Sequence, residues 1–224
     1  MIVNHANYMI LSANANTPFW EHWEAQPYPQ WAALTGIAHV PVAPGFSVEP
    51  HYHDCDEFWL LIEGDGEAWM DDRAYLYTSN TAVYNPMGVI HRAQSFTAGL
   101  SSGLFTRLER QKRPGHLRTW EVGPPGPTVP GFVVPGASNT GPFPDRGPRC
   151  PLGELRVVSL RAGESAADGM APRNEYWHII EGQVHLSIDG LALDLIESDI
   201  AIVRGGMSRQ IHAVGRARMI LARE

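Results

Sequence analysis

A cluster of prolines places the strongest limit on how this chain can fold. Ten of its eighteen prolines lie between Pro114 and Pro151. Proline lacks an N–H donor and fixes φ, so neither a helix nor a central strand can run through that spacing. The cluster therefore predicts an extended Pro/Gly-rich linker over residues 113–151, which divides the chain into a longer N-terminal part and a shorter C-terminal part.

The two parts contain related sequences. At an offset of 118, EFWLLIEG (residues 57–64) falls on EYWHIIEG (residues 175–182), with five of eight positions identical. The same offset, without a gap, brings Gly45 onto Gly163 and residues 85–88 onto 203–206. Short apolar runs closed by a glycine turn are typical of β-strands. The sequence thus predicts an all-β chain that arose by internal duplication.

The N-terminal residues differ from both repeats. Thr17-Pro18 resembles a helix start, and an aromatic cluster follows it. One interpretation makes this segment a hydrophobic clip packed on a sheet, and another makes it a lid over a pocket. The members of the cluster are Phe19, Trp20, Trp23, Tyr28 and Trp31.

Composition excludes several classes of protein. The 224 residues carry 17 basic and 24 acidic side chains, a net charge of −7, and Lys112 is the single lysine, so a nucleic-acid partner is disfavoured. Two cysteines are too few for a disulfide framework. The sequence starts without the pattern of a signal peptide, and no apolar run is long enough for a membrane span. We expect a cytoplasmic protein without nucleic-acid or membrane partners.

Three histidines and a glutamate of the first repeat are spaced so that they can converge. His51 and His53 are two residues apart, so both side chains leave the same face of an extended strand. Glu57 can return to that face after a tight turn. A later proline-glycine turn delivers a third histidine, His91.

These residues carry a resemblance to the cupin superfamily. Its first motif reads G-x5-H-x-H-x3,4-E-x6-G, and its second reads G-x5-P-x-G-x2-H-x3-N. Every fixed position of the first motif is matched, by Gly45, His51, His53, Glu57 and Gly64. The second motif is matched at Pro86, Gly88 and His91, whereas Asn80 and Ser95 replace its first glycine and its asparagine.

The resemblance implies a bicupin, with two cupin-type β-barrels of the double-stranded β-helix or jelly-roll type. In this division, residues 1–37 form an N-terminal arm with a short helix that packs on the barrels. Residues 38–112 form a metal-binding cupin domain, and the linker separates it from a degenerate cupin domain at residues 152–224. The resemblance also implies that His51, His53, Glu57 and His91 bind one divalent metal inside the first barrel.

The chemistry of this set agrees with such a role. Neutral imidazoles and one carboxylate suit Fe, Mn, Ni, Zn or Cu, and leave open positions for water or substrate. One carboxylate on a doubly charged ion leaves a net charge near +1, which attracts anions, carboxylates or developing enolates. Cys55 lies between two of these residues, and its turn position and lack of a free base partner favour a structural role over that of a nucleophile.

The second repeat has lost most of this set. At the offset of 118, His51 maps to Gly169, His53 to Ala171 and His91 to Arg209, and Glu57 alone keeps its counterpart, Glu175. We therefore predict a vestigial second site without a metal, at which Glu175 and Arg209 face each other. In this interpretation the arginine replaces the charge of the metal in an internal ion pair.

Three functions remain open from the sequence. The first is a mononuclear metal-dependent isomerase, epimerase or lyase acting on a small, anionic hydroxy or keto substrate that resembles a sugar or sugar acid. The second is an Fe(II)-dependent dioxygenase or other oxidoreductase with the same ligands, and the third is a cupin that binds a small molecule without turnover. No catalytic acid or base is assigned. Exposed barrel faces predict a homodimer.

Overall fold

The computed structural model describes residues 2–11, 28–106, 117, 132–134 and 152–224. All regular elements in these ranges are strands. The first eleven are β1 (Ile2–Asn4), β2 (Tyr8–Leu11), β3 (Leu34–Val42), β4 (Ser47–His51), β5 (Glu57–Glu63), β6 (Asp65–Met70), β7 (Arg73–Thr78), β8 (Thr81–Asn85), β9 (His91–Ser95), β10 (Gly99–Thr106) and β11 (Phe132–Val134). The others are β12 (Glu154–Leu160), β13 (Ser165–Met170), β14 (Glu175–Glu181), β15 (Gln183–Ile188), β16 (Leu191–Ile196), β17 (Ile200–Val203), β18 (Ser208–Ala213) and β19 (Ala217–Arg223).

The first barrel is built from two antiparallel sheets, with strand orders β11-β8-β5-β10-β3 and β4-β9-β6-β7. Among the described residues, one buried cluster of its interior contains Leu61, Ala68 and Tyr77, and another contains Met70, Val83 and Val89. Trp59 packs against both. Because these clusters join β5 and β8 of one sheet to β6 of the other, apolar burial holds the two sheets together.

The second barrel repeats this plan with strand orders β1-β2-β17-β14-β19-β12 and β13-β18-β15-β16. Its core includes the fully buried Trp177, Ile179, Leu186, Ile211 and Met219. The predicted all-β architecture with two jelly-roll barrels is confirmed.

The N-terminal arm contributes strands that the sequence did not predict. β2 pairs with β17 of the second barrel, and β1 pairs with β2. The indole Nε1 of Trp31 donates a hydrogen bond to the carbonyl of Ala6 at 2.9 Å. The predicted helix start at Thr17-Pro18 and most of the aromatic cluster lie outside the described residues, as does nearly all of the linker. The domain boundaries given above stay predictions.

Unusual backbone conformations recur at the offset of the repeat. Asn80 has φ of 65°, and its counterpart Ser198 has φ of 73°. Glycine adopts this left-handed region without cost, and asparagine tolerates it better than most residues. The asparagine that departs from the second cupin motif therefore keeps the backbone conformation for which a glycine is suited.

Replacing Gly182 by alanine is expected to destabilise the second barrel by about 2 kcal/mol. Gly182 has φ of +82°, and an added Cβ would lie 2.2 Å from the carbonyl oxygen of Arg216. Urea denaturation measures the loss. Gly215→Ala is the matched control, since no atom lies within 4 Å of its added Cβ; equal stability of the two variants would contradict the prediction.

No helix within the described ranges has the length and hydrophobicity required to cross a membrane.

Candidate metal centre

Strand ends of the first barrel bring the predicted site residues together. His51 is the last residue of β4, and it lies directly opposite His91, the first residue of β9. Glu57 is the first residue of β5, and His53 lies in the segment between β4 and β5. Residues that are far apart in the chain thus converge at the ends of three strands.

All four side chains are buried and close to one another. The ligand nitrogens of His51, His53 and His91 lie within 4.8 Å of one another, and these side chains are at most 3% exposed. The two carboxylate oxygens of Glu57 lie 3.6 Å from His53 Nε2 and 2.9 Å from His91 Nε2. The three histidines form a group that can hold one divalent transition metal ion.

The hydrogen bonds of the imidazoles prepare them for this role. Nδ1 of His51 lies 2.7 Å from the carbonyl of Glu49, and Nδ1 of His91 lies 2.8 Å from the carbonyl of Val89. A carbonyl accepts hydrogen bonds only, so each Nδ1 carries a proton, and in the neutral imidazole each Nε2 then carries a lone pair. This is the arrangement in which backbone carbonyls orient metal-ligating histidines.

His91 Nε2 faces the Glu57 carboxylate. It is buried and lies 2.9 Å from Glu57 Oε2, the distance of an ion pair. Without a metal, a proton on Nε2 would join these two atoms, since Nδ1 is already bonded to Val89. A divalent cation bound by neutral imidazoles and the carboxylate would take the place of that proton.

The ionisation of the site also favours metal binding. Burial, with the neighbouring His91 acting in the same direction, lowers the pKa of His51 from 6.5 to about 3, so the imidazole stays neutral near pH 7. Burial raises the pKa of the Glu57 carboxyl, but His53 and His91 outweigh that effect and hold this pKa well below its usual value. Neutral imidazoles and an ionised carboxylate are the forms that ligate metals.

Cys55 does not have the properties of a nucleophile. It is buried, and burial raises the pKa of its thiol, with Asp54 and Glu57 acting in the same direction. The thiol therefore stays protonated near neutral pH, which agrees with a structural role.

Asp56 fixes the turn that delivers His91. Its Oδ1 accepts a hydrogen bond from the backbone N–H of Met87 at 2.8 Å, and its Oδ2 accepts one from the Tyr84 hydroxyl at 3.2 Å. The N–H of Gly88 donates to the carbonyl of His53 at 2.9 Å. The start of β5 and the turn before β9 are therefore held together by bonds that need no metal.

Asn85 touches the site, and the motif comparison did not select it. It lies directly opposite Glu57 in the pairing of β5 with β8, and its Nδ2 donates to Glu57 Oε2 at 3.1 Å. Its position at the end of β8, directly before Pro86 of the second motif, is the sequence signal that could have identified it.

An open pocket borders the centre and is lined in part by His91, Trp69, Asp71, Asp72 and Arg92. The Arg92 guanidinium lies 3.9 Å from the centroid of the Trp69 ring. Since the lining carries charges of both signs, it does not by itself select an anion.

The equivalent place in the second barrel holds an ion pair. Arg209 donates from Nε and Nη2 to the two carboxylate oxygens of Glu175, at 2.9 and 2.8 Å. Its Nη1 donates to the carbonyl of Gly169, at the position of His51, at 2.8 Å. Trp177 and Arg223 also donate to Glu175, which is fully buried. The carboxylate is therefore satisfied by fixed donors of the protein.

The second barrel nevertheless keeps the bonds that fix the turn. Asn174, at the position of Asp56, accepts a hydrogen bond from the backbone N–H of Gly205 at 2.8 Å. The N–H of Gly206 donates to the carbonyl of Ala171 at 2.8 Å, as Gly88 does to His53. The second barrel has lost three of the four site residues but has kept the backbone arrangement that places them.

A family comparison decides the classification of the first barrel. The family described as "Cupin domain" matches residues 38–97, which contain all four site residues. Residues 38–97 of this chain are a cupin domain. The resemblance predicted from the two motifs is thereby confirmed, and the histidine group lies in the matched cupin segment.

Curated relatives of this cupin match only part of it. An uncharacterized protein of Sinorhizobium fredii, y4oW, is 38% identical over 74 residues, which is 33% of each chain. The alginate biosynthesis protein AlgA of Pseudomonas aeruginosa is 33% identical over 58 residues, or 25% of this chain and 12% of that protein. The chain thus covers a third or less of these relatives.

Solved structures show the same fold over the whole chain. A mutant of Bacillus subtilis oxalate decarboxylase aligns with a TM-score of 0.64 at 14% identity, covering 100% of this chain and 74% of that one. A structure from a study of the Mn(II) centers of the same enzyme aligns with a TM-score of 0.60 at 14% identity, covering 85% and 68%. At this identity the likeness establishes the bicupin fold alone.

Proposed function

We propose that the first barrel is a mononuclear metal centre with His51, His53, Glu57 and His91 as ligands, and that the chain is a metal-dependent enzyme. The substrate is a small hydroxy or keto compound, such as a sugar acid, and the reaction is of the isomerase, epimerase or lyase type. The observation that carries the proposal is the convergence of three buried imidazoles, whose ligand nitrogens lie within 4.8 Å of one another, beside the Glu57 carboxylate.

Charge supports an anionic substrate. Three neutral imidazoles and one carboxylate leave a net charge near +1 on a site that holds a divalent ion. Burial strengthens the attraction between this charge and an anion, because the local dielectric constant is low. When bound, such an ion supplies Lewis acidity, which polarises a carbonyl or a pair of oxygens. The protein itself holds the imidazoles in one tautomer through the carbonyls of Glu49 and Val89, and it keeps Glu57 ionised.

Metal dependence without oxygen dependence is the expected behaviour. Protein purified without added metal is analysed for metal content. It is then loaded with Mn(II), Fe(II), Ni(II) or Zn(II) and assayed anaerobically against hydroxy acids, keto acids, sugars and sugar acids. We expect turnover of at least one compound without O₂, lost on chelation and recovered on reloading.

Two results would contradict the isomerase or lyase assignment. A strict requirement for both Fe(II) and O₂ would identify an oxygenase that uses the same four residues. Binding of panel members without turnover by the loaded protein would identify a binding module, as in the third hypothesis from the sequence. The fold of oxalate decarboxylase makes oxalate a necessary member of the panel, although 14% identity carries no substrate assignment.

A homodimer stays a prediction. Each barrel exposes large apolar side chains, among them Leu76 at 75% and Met170 at 68% exposure. Light scattering during gel filtration measures the mass directly, and a monomer at micromolar concentration would contradict the prediction.

A further inference from the structure

Asn85 combines two features that the ligand set does not explain. Its side chain is 1% exposed, and one half of its carboxamide, Nδ2, holds Glu57 Oε2. The other half, Oδ1, is buried and has no hydrogen-bond partner among the residues that the structure describes. A buried acceptor without a partner is costly, typically about 1–3 kcal/mol. Such a group in a native fold calls for an explanation.

The unpaired oxygen lies next to the proposed metal ligands. The nitrogen and oxygen of a carboxamide share one carbon, so Oδ1 is close to the atom that contacts Glu57. Glu57 Oε2 in turn lies 2.9 Å from His91 Nε2. The amide nitrogen of Asn85 and the imidazole of His91 therefore meet the same carboxylate oxygen. The amide oxygen that is left over can accept a hydrogen bond.

The duplication provides an internal comparison. Val203 occupies the position of Asn85 in the second barrel, where Gly169, Ala171 and Arg209 replace the histidines. There the carboxylate of Glu175 receives its bonds from Arg209, Arg223 and Trp177 and needs no amide. The amide is thus present in the barrel that has the histidines and absent from the barrel that lacks them, although the fold is common to both.

We propose that Asn85 is a positioning and specificity residue of the metal centre. Its Nδ2 holds the Glu57 carboxylate in place, and its Oδ1 accepts a hydrogen bond from a hydroxyl group of the bound ligand or from water in its place. The centre therefore favours ligands that carry a hydroxyl donor, such as 2-hydroxy acids, over dicarboxylates that have no donor. This inference rests on the proposed metal centre and narrows the class of its substrate.

The test uses Co(II) as a spectroscopic probe and two small ligands, glycolate and oxalate. Both offer a carboxylate and a second oxygen to a metal, but only glycolate carries a hydroxyl donor. Titrations of the full chain give the affinity for Co(II) from its visible absorption. Changes in the same bands give the affinities for glycolate and oxalate, without any measurement of turnover.

Asn85→Leu is expected to change both readouts. The affinity for Co(II) falls about tenfold to a hundredfold because the carboxylate loses its holding bond. The ratio of glycolate affinity to oxalate affinity falls about tenfold, because only glycolate loses a hydrogen bond. Asn85→Val is the second variant, since valine occupies this position in the folded second barrel, and it should behave in the same way.

Thr81→Val is the matched control, because Thr81 is 1% exposed and lies on the same strand, four residues from Asn85. Its affinities should equal those of the unmodified chain. An unchanged glycolate-to-oxalate ratio in both Asn85 variants would overturn the proposed selectivity, and unchanged Co(II) affinity would overturn the positioning role. Failure of the unmodified chain to bind Co(II) would instead overturn the metal centre itself, so the two failures are distinguishable.

Discussion

Replacing His91 by alanine is expected to lower the affinity of the first barrel for divalent transition metals by more than about 100-fold. Loss of a residue that only orients a metal ligand typically lowers metal affinity 10–100-fold. In the proposed centre His91 is itself a ligand, and its Nε2 also lies 2.9 Å from Glu57 Oε2. Metal analysis of purified protein and Mn(II) titration measure the loss directly.

Thermal unfolding provides an independent measure of the same change. A ligand at 100 times its Kd stabilises the native state by about 2.7 kcal/mol. The unmodified chain should therefore unfold at a higher temperature with Mn(II), and the His91→Ala variant should not respond. His185→Ala is the control, because His185 is exposed and pairs with Asp194 on the second barrel. A variant of His91 that keeps the full metal response would remove His91 from the ligand set.

The second large effect is expected in the other barrel. Glu175→Leu should destabilise it by about 3–5 kcal/mol, because Arg209 is nearly fully buried and loses the partner of its charge. Arg223, which also donates to Glu175, loses a partner as well but is partly exposed and keeps Glu154. Urea denaturation followed by circular dichroism measures the difference.

A double variant separates the cost of an unpaired charge from the cost of lost packing. Adding Arg209→Met to Glu175→Leu removes the buried charge, so the double variant should be more stable than Glu175→Leu alone. Arg216→Met serves as the surface control, with an expected change within about 0.5 kcal/mol, since Arg216 and Glu181 form an exposed pair at 3.7 Å. A double variant that is less stable than the single one would show that the ion pair is not the source of the effect.

The site residues could be predicted because their positions follow from local geometry. The two-residue spacing of His51 and His53, and the turn before His91, determine which face each side chain takes once the strands form. The duplication then predicts that Arg209 lies opposite Glu175, because these two residues occupy the positions of His91 and Glu57 in the second barrel. The two side chains do lie in contact in the structure.

Other features depend on contacts between distant residues, which spacing does not reveal. Asp56 binds the backbone of Met87, which lies 31 residues further along the chain. Asn85 meets Glu57 only through the pairing of β5 with β8. The N-terminal strands β1 and β2 form because they extend a sheet of the second barrel, which begins more than a hundred residues later in the chain. Their sequences are too short for an alternating pattern to predict a strand or its partner.

The Arg209 guanidinium is a cation that is covalently part of the chain. Unlike a bound ion, it cannot be removed by a chelator, exchanged for a competing element or depleted when a cell runs short of trace metals. The buried Glu175 carboxylate of the second barrel therefore stays paired with a positive charge whatever metals are available. In the proposed function, only the first barrel depends on the supply of a metal.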